Sequence, residues 1–148
     1  MSLYLDLKAN GASIAGDATN PGYEGQIKLQ GLSHSYMAPM SRGAYRSGAV
    51  NATQVSMNAS LGPHAILIWK ALVENEEIEA TVTFDPSDDG DDAEWTVEIM
   101  DGKIGDVSFG YHSGGALSDN SFSFSIAFND ITLRHESEAV EHQDNINI

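Results

Sequence analysis

The chain has 148 residues, and its 7 Lys and Arg against 22 Asp and Glu give a formal net charge of −15. Because contacts to phosphate require clustered basic side chains, this balance argues against nucleic acid and anionic membranes as partners. No apolar run approaches the roughly 20 residues of a transmembrane helix, so we expect no membrane insertion. The absence of cysteine excludes disulfides, thiolate nucleophiles and cysteine-ligated metals. The first eight residues lack the basic start and long apolar run of a signal peptide, so we expect any export to use another route.

Strand patterns open the chain. The leucines of residues 3–7 alternate with other side chains, the period-two pattern of a strand with one buried face. Residues 10–25 are rich in Gly, Ala and Asn and predict a loop. A second strand is predicted over residues 26–37, with a β-bulge at Gly31 because the apolar positions change phase there.

A second loop is predicted over residues 38–50, and its composition suggests a contact. Residues 37–48 carry two of the seven basic residues and no acidic residue. Such a segment complements the acidic surface of a second copy, and Met, Tyr and Arg are enriched at interfaces. The alternative is a mobile loop whose arginines offset the local negative field. We predict a self-association contact formed by Met37, Met40, Arg42, Tyr45 and Arg46.

One helix is predicted from Pro63 to Glu74, after a short strand at residues 51–58. Proline suits the first turn of a helix, and Asn75 can adopt the left-handed conformation that ends one. Apolar side chains recur at helical spacing along this segment. We predict that the core between helix and sheet includes Ile68, Trp69 and Leu72.

Four further strands follow, predicted over residues 78–84, 94–100, 104–111 and 122–133. Asp101–Gly102 predicts a two-residue hairpin turn between the second and third of these, and Trp95 and Phe124 are predicted core residues by spacing. The tail from residue 135 is polar and acidic and is predicted to be mobile. The fold class is mostly β: an antiparallel barrel or sandwich of about seven to nine strands with one lateral helix, in one domain over residues 1–148.

Two segments have residue patterns that suggest functional sites. The acidic run 85–94 invites a calcium loop, but the twelfth position is Thr96 rather than Glu and no helices are predicted beside it, which favours a solvated connection. Residues 111–115 approach the Gly-x-Ser-x-Gly motif, but Tyr111 occupies the place of the first glycine, which favours a turn. The five histidines show no metal-ligand spacing. We therefore predict no catalytic residue, no cofactor and no metal, and a protein that is not an enzyme.

The order of these features resembles one family. Gly25–Leu29, the helix segment Leu61–Leu72 running into Ile78–Phe84, and the strands Glu94–Ile99 and Asp119–Phe124 are similar to the haemolysin-coregulated protein (Hcp) family. Members of that family are tube subunits of the bacterial type VI secretion system.

This resemblance implies a structural role. Family members form hexameric rings that stack into a hollow tube, expelled from the bacterial cytoplasm by a contractile sheath with a spike at its tip, and some carry effectors in the lumen. In such proteins the segment equivalent to residues 37–48 reaches adjacent subunits. The first alternative is a contractile-phage tail tube protein. Two others are a small β-sandwich binding module and a hydrolase.

Overall fold

The computed structural model of the chain describes residues 2–38, 40–41, 43, 45–46, 51–52, 54–87, 93–136 and 138–145. At positions 40–41, 45–46, 51–52, 118 and 145 this description covers the backbone alone. The elements in chain order are β1 (Ser2–Ala9), β2 (Ala12–Ile14), β3 (Ile27–Ser33), β4 (Tyr36–Met37), β5 (Met40–Ser41), β6 (Tyr45–Arg46), β7 (Asn51–Ala52), β8 (Val55–Ser60), α1 (Pro63–Val73), β9 (Ile78–Asp85), β10 (Trp95–Phe109), a 3₁₀ turn (Leu117–Asp119), β11 (Ser121–His135) and β12 (Val140–Asn145).

Six strands close into an antiparallel barrel. Their order is β10-β9-β1-β3-β8-β11, and β11 pairs back with β10 to complete the circle. β2 extends the sheet from β1, and β12 extends it from the second half of β11. The mostly β barrel with one lateral helix is confirmed.

The leucine alternation of β1 is confirmed, but its other face is not fully exposed. Leu5 and Leu7 are completely buried in the barrel core, and Leu3 packs partly against it. Tyr4 points to the opposite face and is also completely buried, because the ring of Tyr23 stacks on it with centroids 4.0 Å apart. The loop between β2 and β3 therefore covers part of the outer face.

The predicted bulge at Gly31 is confirmed. The pairing of β3 with β8 shifts register between Leu29, opposite Ala59, and Gly31, opposite Asn58. One extra residue on β3 accounts for the change of apolar phase seen in the sequence.

Helix α1 ends one residue earlier than predicted, with Glu74 as its C-cap. Asn75 has φ 53°, so the left-handed helix end is confirmed. Gly62 is the N-cap residue and contributes no side-chain cap, and Pro63 occupies the first turn. Among the described residues no helix is long and apolar enough to cross a membrane.

The predicted hairpin at Asp101–Gly102 is wrong. Residues 95–109 form one continuous strand of 15 residues, β10, paired along its length with the 15-residue β11. Asp101 does have a positive φ of 54°, but this accompanies a register shift against β9 between Ile99 and Gly102. Asp101 therefore forms a bulge against β9. It does not end the strand, because the opposite edge of β10 stays paired with β11 on both sides of Asp101.

The polar tail predicted from residue 135 contains a strand among its described residues, whereas its mobility stays a prediction. The chain turns back at Ala139, which has φ 55°, and β12 pairs antiparallel with β11 from His135 opposite Val140 to Asp130 opposite Asn145. This added strand forms one wall of the pocket described below.

Candidate functional site

The predicted contact loop folds as two short ribbons, which we call the arm (residues 36–52). β4 pairs with β7, β5 pairs with β6, and each pair forms a separate two-stranded sheet that is not part of the barrel sheet. Hydrogen bonding within the arm thus replaces the irregular loop that the sequence predicted. In the chain, the arm connects β3 to β8.

The five predicted contact residues lie in or at the edge of this arm. Met37 is 63% exposed, a large value for an apolar side chain in a short strand. Met40, Tyr45 and Arg46 are on β5 and β6, where only the backbone is described, and Arg42 lies outside the described residues. Their contact with a second copy therefore stays a prediction.

The predicted helix core is correct for two residues and wrong for the third. Ile68 is completely buried and Leu72 packs partly against the core, whereas Trp69 is 52% exposed. Successive helical residues are about 100° apart around the axis, so Trp69 cannot share the direction of Ile68. Together with Ile66 and Val73, Trp69 forms a second apolar stripe that faces outward in the single chain.

Trp95 was likewise predicted to be a core residue, and this is wrong. Its side chain is 42% exposed and meets His135 edge to face, with ring centroids 5.9 Å apart. Trp95 is the first residue of β10, opposite Phe84 and His135, and its exposure shows that the described residues cover only part of its ring. Phe124, in the middle of the barrel, is buried as predicted.

A pocket lies between the base of the arm and strands β11 and β12. It has a volume of about 260 Å³ and is lined mainly by apolar surface. β12 places Asp144 opposite Ile131 and His142 opposite Leu133, and cross-strand pairs of this kind share one face of a sheet. We call this site the arm-base pocket, and the residues that line it are Tyr36, Ile131, Leu133, His142 and Asp144.

The charge of the arm-base pocket comes from Asp144. Burial, and then the negative charge of Asp144, raise the pKa of Tyr36 above its ordinary value of 10.0. The Tyr36 hydroxyl lies 3.0 Å from Nδ1 of His34, and burial lowers the pKa of His34 below 6.5. Tyr36 and His34 are therefore uncharged near neutral pH, and the pocket combines an apolar floor with a phenol ring and a carboxylate.

A second pocket, of about 280 Å³, has a polar lining that includes Ser33, His34, Asp106 and Ser125. These are the residue types that the hydrolase alternative needs. The hydroxyl of Ser125, however, donates to Oε1 of Gln54 at 2.8 Å, and Nδ1 of His34 is engaged with Tyr36. Both side chains thus have structural contacts, and this pair does not form the serine–histidine hydrogen bond of a triad.

The start of the acidic run is structural. Asp85 is completely buried, and its Oδ2 accepts a 2.6 Å hydrogen bond from the hydroxyl of Tyr23. Its Oδ1 accepts from the backbone N–H and the hydroxyl of Ser87. Residues 88–92 lie outside the description, and the described residues contain no group of three His, Asp or Glu placed to hold a metal. The first position of the suggested calcium loop therefore binds protein donors.

The segment 111–115 has the backbone of a turn, as the glycines suggested. Gly114 and Gly115 have φ of 90° and 76°, values that favour glycine. The backbone N–H of His112 donates to Oδ1 of Asn120 at 2.9 Å and ties this turn to the residue before β11.

Sequence reasoning missed the arm-base pocket because it treated β12 as a tail. Residues 140–145 contain one strongly apolar residue, Val140, so no apolar alternation marks the strand. One feature of the sequence could have indicated the pocket. Ile131 and Leu133 lie at the end of a predicted strand, and two apolar side chains there require another element to cover them.

The comparison with protein families matches residues 4–135 to the family described as "Type VI secretion system effector, Hcp". Curated proteins give no match to this sequence. Among solved structures, an Hcp protein is 17% identical with a TM-score of 0.83, over 98% of this chain and 99% of its own.

Two further solved structures share the fold. A doubly mutated Hcp1 from E. coli EAEC 042 is 17% identical with a TM-score of 0.84, over 99% of both chains. Hcp3 from Pseudomonas aeruginosa is 16% identical with a TM-score of 0.73, again over 99% of both. At these identities the structures establish the fold, and the match over residues 4–135 establishes the family. The chain belongs to the Hcp family of the type VI secretion system.

Proposed function

We propose that six copies of the chain form a ring and that rings stack into the hollow tube of a type VI secretion system. In this role the protein is structural rather than catalytic. It leaves the bacterial cytoplasm through the apparatus, meets the sheath outside the tube and the spike at its tip, and carries effectors in the lumen.

The family match over residues 4–135 is the observation that carries this proposal. Two features of the single chain add support. The arm is separate from the barrel sheet, and large apolar side chains remain exposed on α1 and at Met37. Exposed apolar clusters of this kind mark interaction sites.

A ring requires two different surfaces on each copy, because head-to-tail contacts join unlike patches. We propose that the arm, through Met37, Met40, Arg42, Tyr45 and Arg46, is one of them. The remainder of the chain supplies an acidic counterpart, since it contains all 22 acidic residues and only five of the seven basic ones.

The mass in solution tests the ring. Six copies of 15.9 kDa amount to about 95 kDa (6 × 15.9). Light scattering coupled to size exclusion is expected to find that species across a dilution series. A uniform 15.9 kDa species at every concentration contradicts the proposal, and favours the small binding module.

A further inference from the structure

We infer that the arm-base pocket receives an arginine from the arm of a second copy. This inference rests on the proposed ring and names the receptor for the arm. It concerns Arg42 or Arg46 as the inserted residue and Asp144 as its charged partner.

The lining of the pocket suits a guanidinium group on an aliphatic stem. Ile131 is buried and Leu133 partly buried, so they offer apolar surface to the methylene groups. The ring of Tyr36 offers a face on which a guanidinium can stack, and Asp144 offers a carboxylate for paired hydrogen bonds. A neutral apolar ligand would leave this half-buried carboxylate without a counter-charge.

Charge complementarity identifies the occupant. In the part of the chain that the structure describes, Asp144 has no basic side chain in an ion pair with it. Lys70 and Arg134 are already paired with glutamates, and Lys103 donates to the carbonyl of Asn75. The arm concentrates two arginines among residues 37–48, with no acidic residue beside them.

The arrangement favours a second copy over the same chain. Arg46 pairs with Met40, which lies four residues beyond Tyr36, a span of up to about 13 Å on an extended chain. The backbone of Arg46 thus belongs to a ribbon, β5–β6, that is separate from the ribbon that contains Tyr36, β4–β7. A projection at one place and a receptor at another are what a head-to-tail contact requires.

Complementary charge reversal tests the inference. The first variant is Asp144→Lys, and the second is Arg42→Glu with Arg46→Glu. Each alone is expected to raise the concentration needed for assembly by about tenfold or more, because it places like charges together. An equimolar mixture is expected to restore assembly, since native arms meet native pockets and glutamate arms meet lysine pockets alternately.

The matched control is Asp130→Lys. Asp130 precedes Ile131 on β11, so its side chain points to the opposite face of the sheet. This variant makes the same change of charge one strand away and is expected to assemble like wild type. Asp144→Asn, which keeps the side-chain shape, is expected to weaken assembly while its melting temperature stays that of wild type at a dilution where both are single chains.

The outcomes distinguish an arginine inserted from a second copy from the alternatives. Rescue on mixing supports insertion between copies. Rescue only when all three substitutions are in one chain indicates an arginine bound within its own chain and overturns the inference. Normal assembly of Asp144→Lys or Asp144→Asn, with a hexameric wild type, overturns the inference and leaves the proposed ring intact. A monomeric wild type overturns both.

Discussion

Asp85 shows how one buried carboxylate organises the residues around it. It lies at the end of β9 and accepts hydrogen bonds from Tyr23 and Ser87. Tyr23 belongs to the loop between β2 and β3, and its ring lies parallel to that of Tyr4 on β1. A buried acceptor that loses a donor keeps its desolvation penalty, so these contacts fix the loop against the barrel.

Tyr23→Phe tests this role. The variant keeps the stacked ring but removes the donor to Asp85, so we expect the free energy of unfolding to fall by about 1–3 kcal/mol. Urea unfolding measures the loss. Tyr111→Phe is the control, because it makes the same chemical change on a side chain that is 75% exposed. Equal stability of Tyr23→Phe and wild type would contradict the assigned contact.

His34 is predicted to make stability depend on pH. Burial lowers the pKa of His34 in the folded chain below its ordinary 6.5. Below that value the unfolded chain binds more protons at this position than the folded one, so stability falls as the pH falls. We expect His34→Asn to lose less stability than wild type between about pH 7.5 and about pH 5.5. Urea unfolding midpoints at the two pH values measure this. An equal change in midpoint for His34→Asn and wild type between these pH values would refute the prediction.

At the scale of elements, α1 has two apolar stripes and the single chain covers one. Ile68 is completely buried while Trp69 remains half exposed. Periodicity identified the helix, but it could not tell which stripe meets the barrel because both contain large apolar residues. An apolar face left open is consistent with a surface covered in an assembly.

Substitution of these two neighbours separates the stripes. Ile68→Ala creates a cavity and is expected to cost about 2–5 kcal/mol of unfolding free energy. Trp69→Ala removes a side chain that is half in water and is expected to cost clearly less than Ile68→Ala in the single chain, because it leaves no enclosed cavity. Urea unfolding of dilute protein compares them. Equal losses would show that Trp69 also packs on the barrel.

The sequence predicted those elements whose burial leaves a local pattern. The leucines of β1 and the phase change at Gly31 are such patterns, because each strand faces the core on one side. At Asp101 the local signal was correct about the backbone, which has φ 54°, and wrong about the element. Whether a left-handed residue ends a strand depends on its partners, and here β11 pairs on both sides of it.

The arm-base pocket could not be predicted, because it too depends on which strands pair and not on a local pattern. Its wall, β12, forms because the ladder of β11 has room for another strand beyond β8, a property of the topology. Residues 140–145 show no apolar alternation that would announce it. The prediction of an arm contact needed only composition, so the sequence suggested Arg42 and Arg46 and gave no indication of a pocket at Asp144; the arm contact itself stays a prediction.

For the whole molecule, the net charge opposes the proposed assembly. Six copies at −15 amount to −90 (6 × −15). The acidic groups are unevenly placed: Asp6, Glu79 and Glu98 lie on β1, β9 and β10, whereas residues 54–60 and 121–127 contain none. The outer face of β8 and the first half of β11 thus presents serine and asparagine. Copies that approach on this face avoid placing carboxylates together.

Ring formation is therefore predicted to strengthen with salt at low ionic strength. Repulsion between copies acts over about 30 Å at 0.01 M salt and about 8 Å at 0.15 M. We expect a lower concentration for half-assembly at about 0.15 M than at about 0.01 M, because screening weakens repulsion between whole subunits more than a contact pair. Light scattering over a dilution series at each salt concentration measures the shift.

A variant with fewer carboxylates shows whether the net charge is responsible. Asp6→Asn, Glu24→Gln, Glu77→Gln and Glu138→Gln change exposed side chains and reduce the formal net charge from −15 to −11 (−15 + 4). This variant should assemble more readily than wild type at about 0.01 M salt and respond less to added salt, because there is less repulsion to screen. If it keeps the salt response of wild type, local contacts and not the total charge set the ionic-strength dependence.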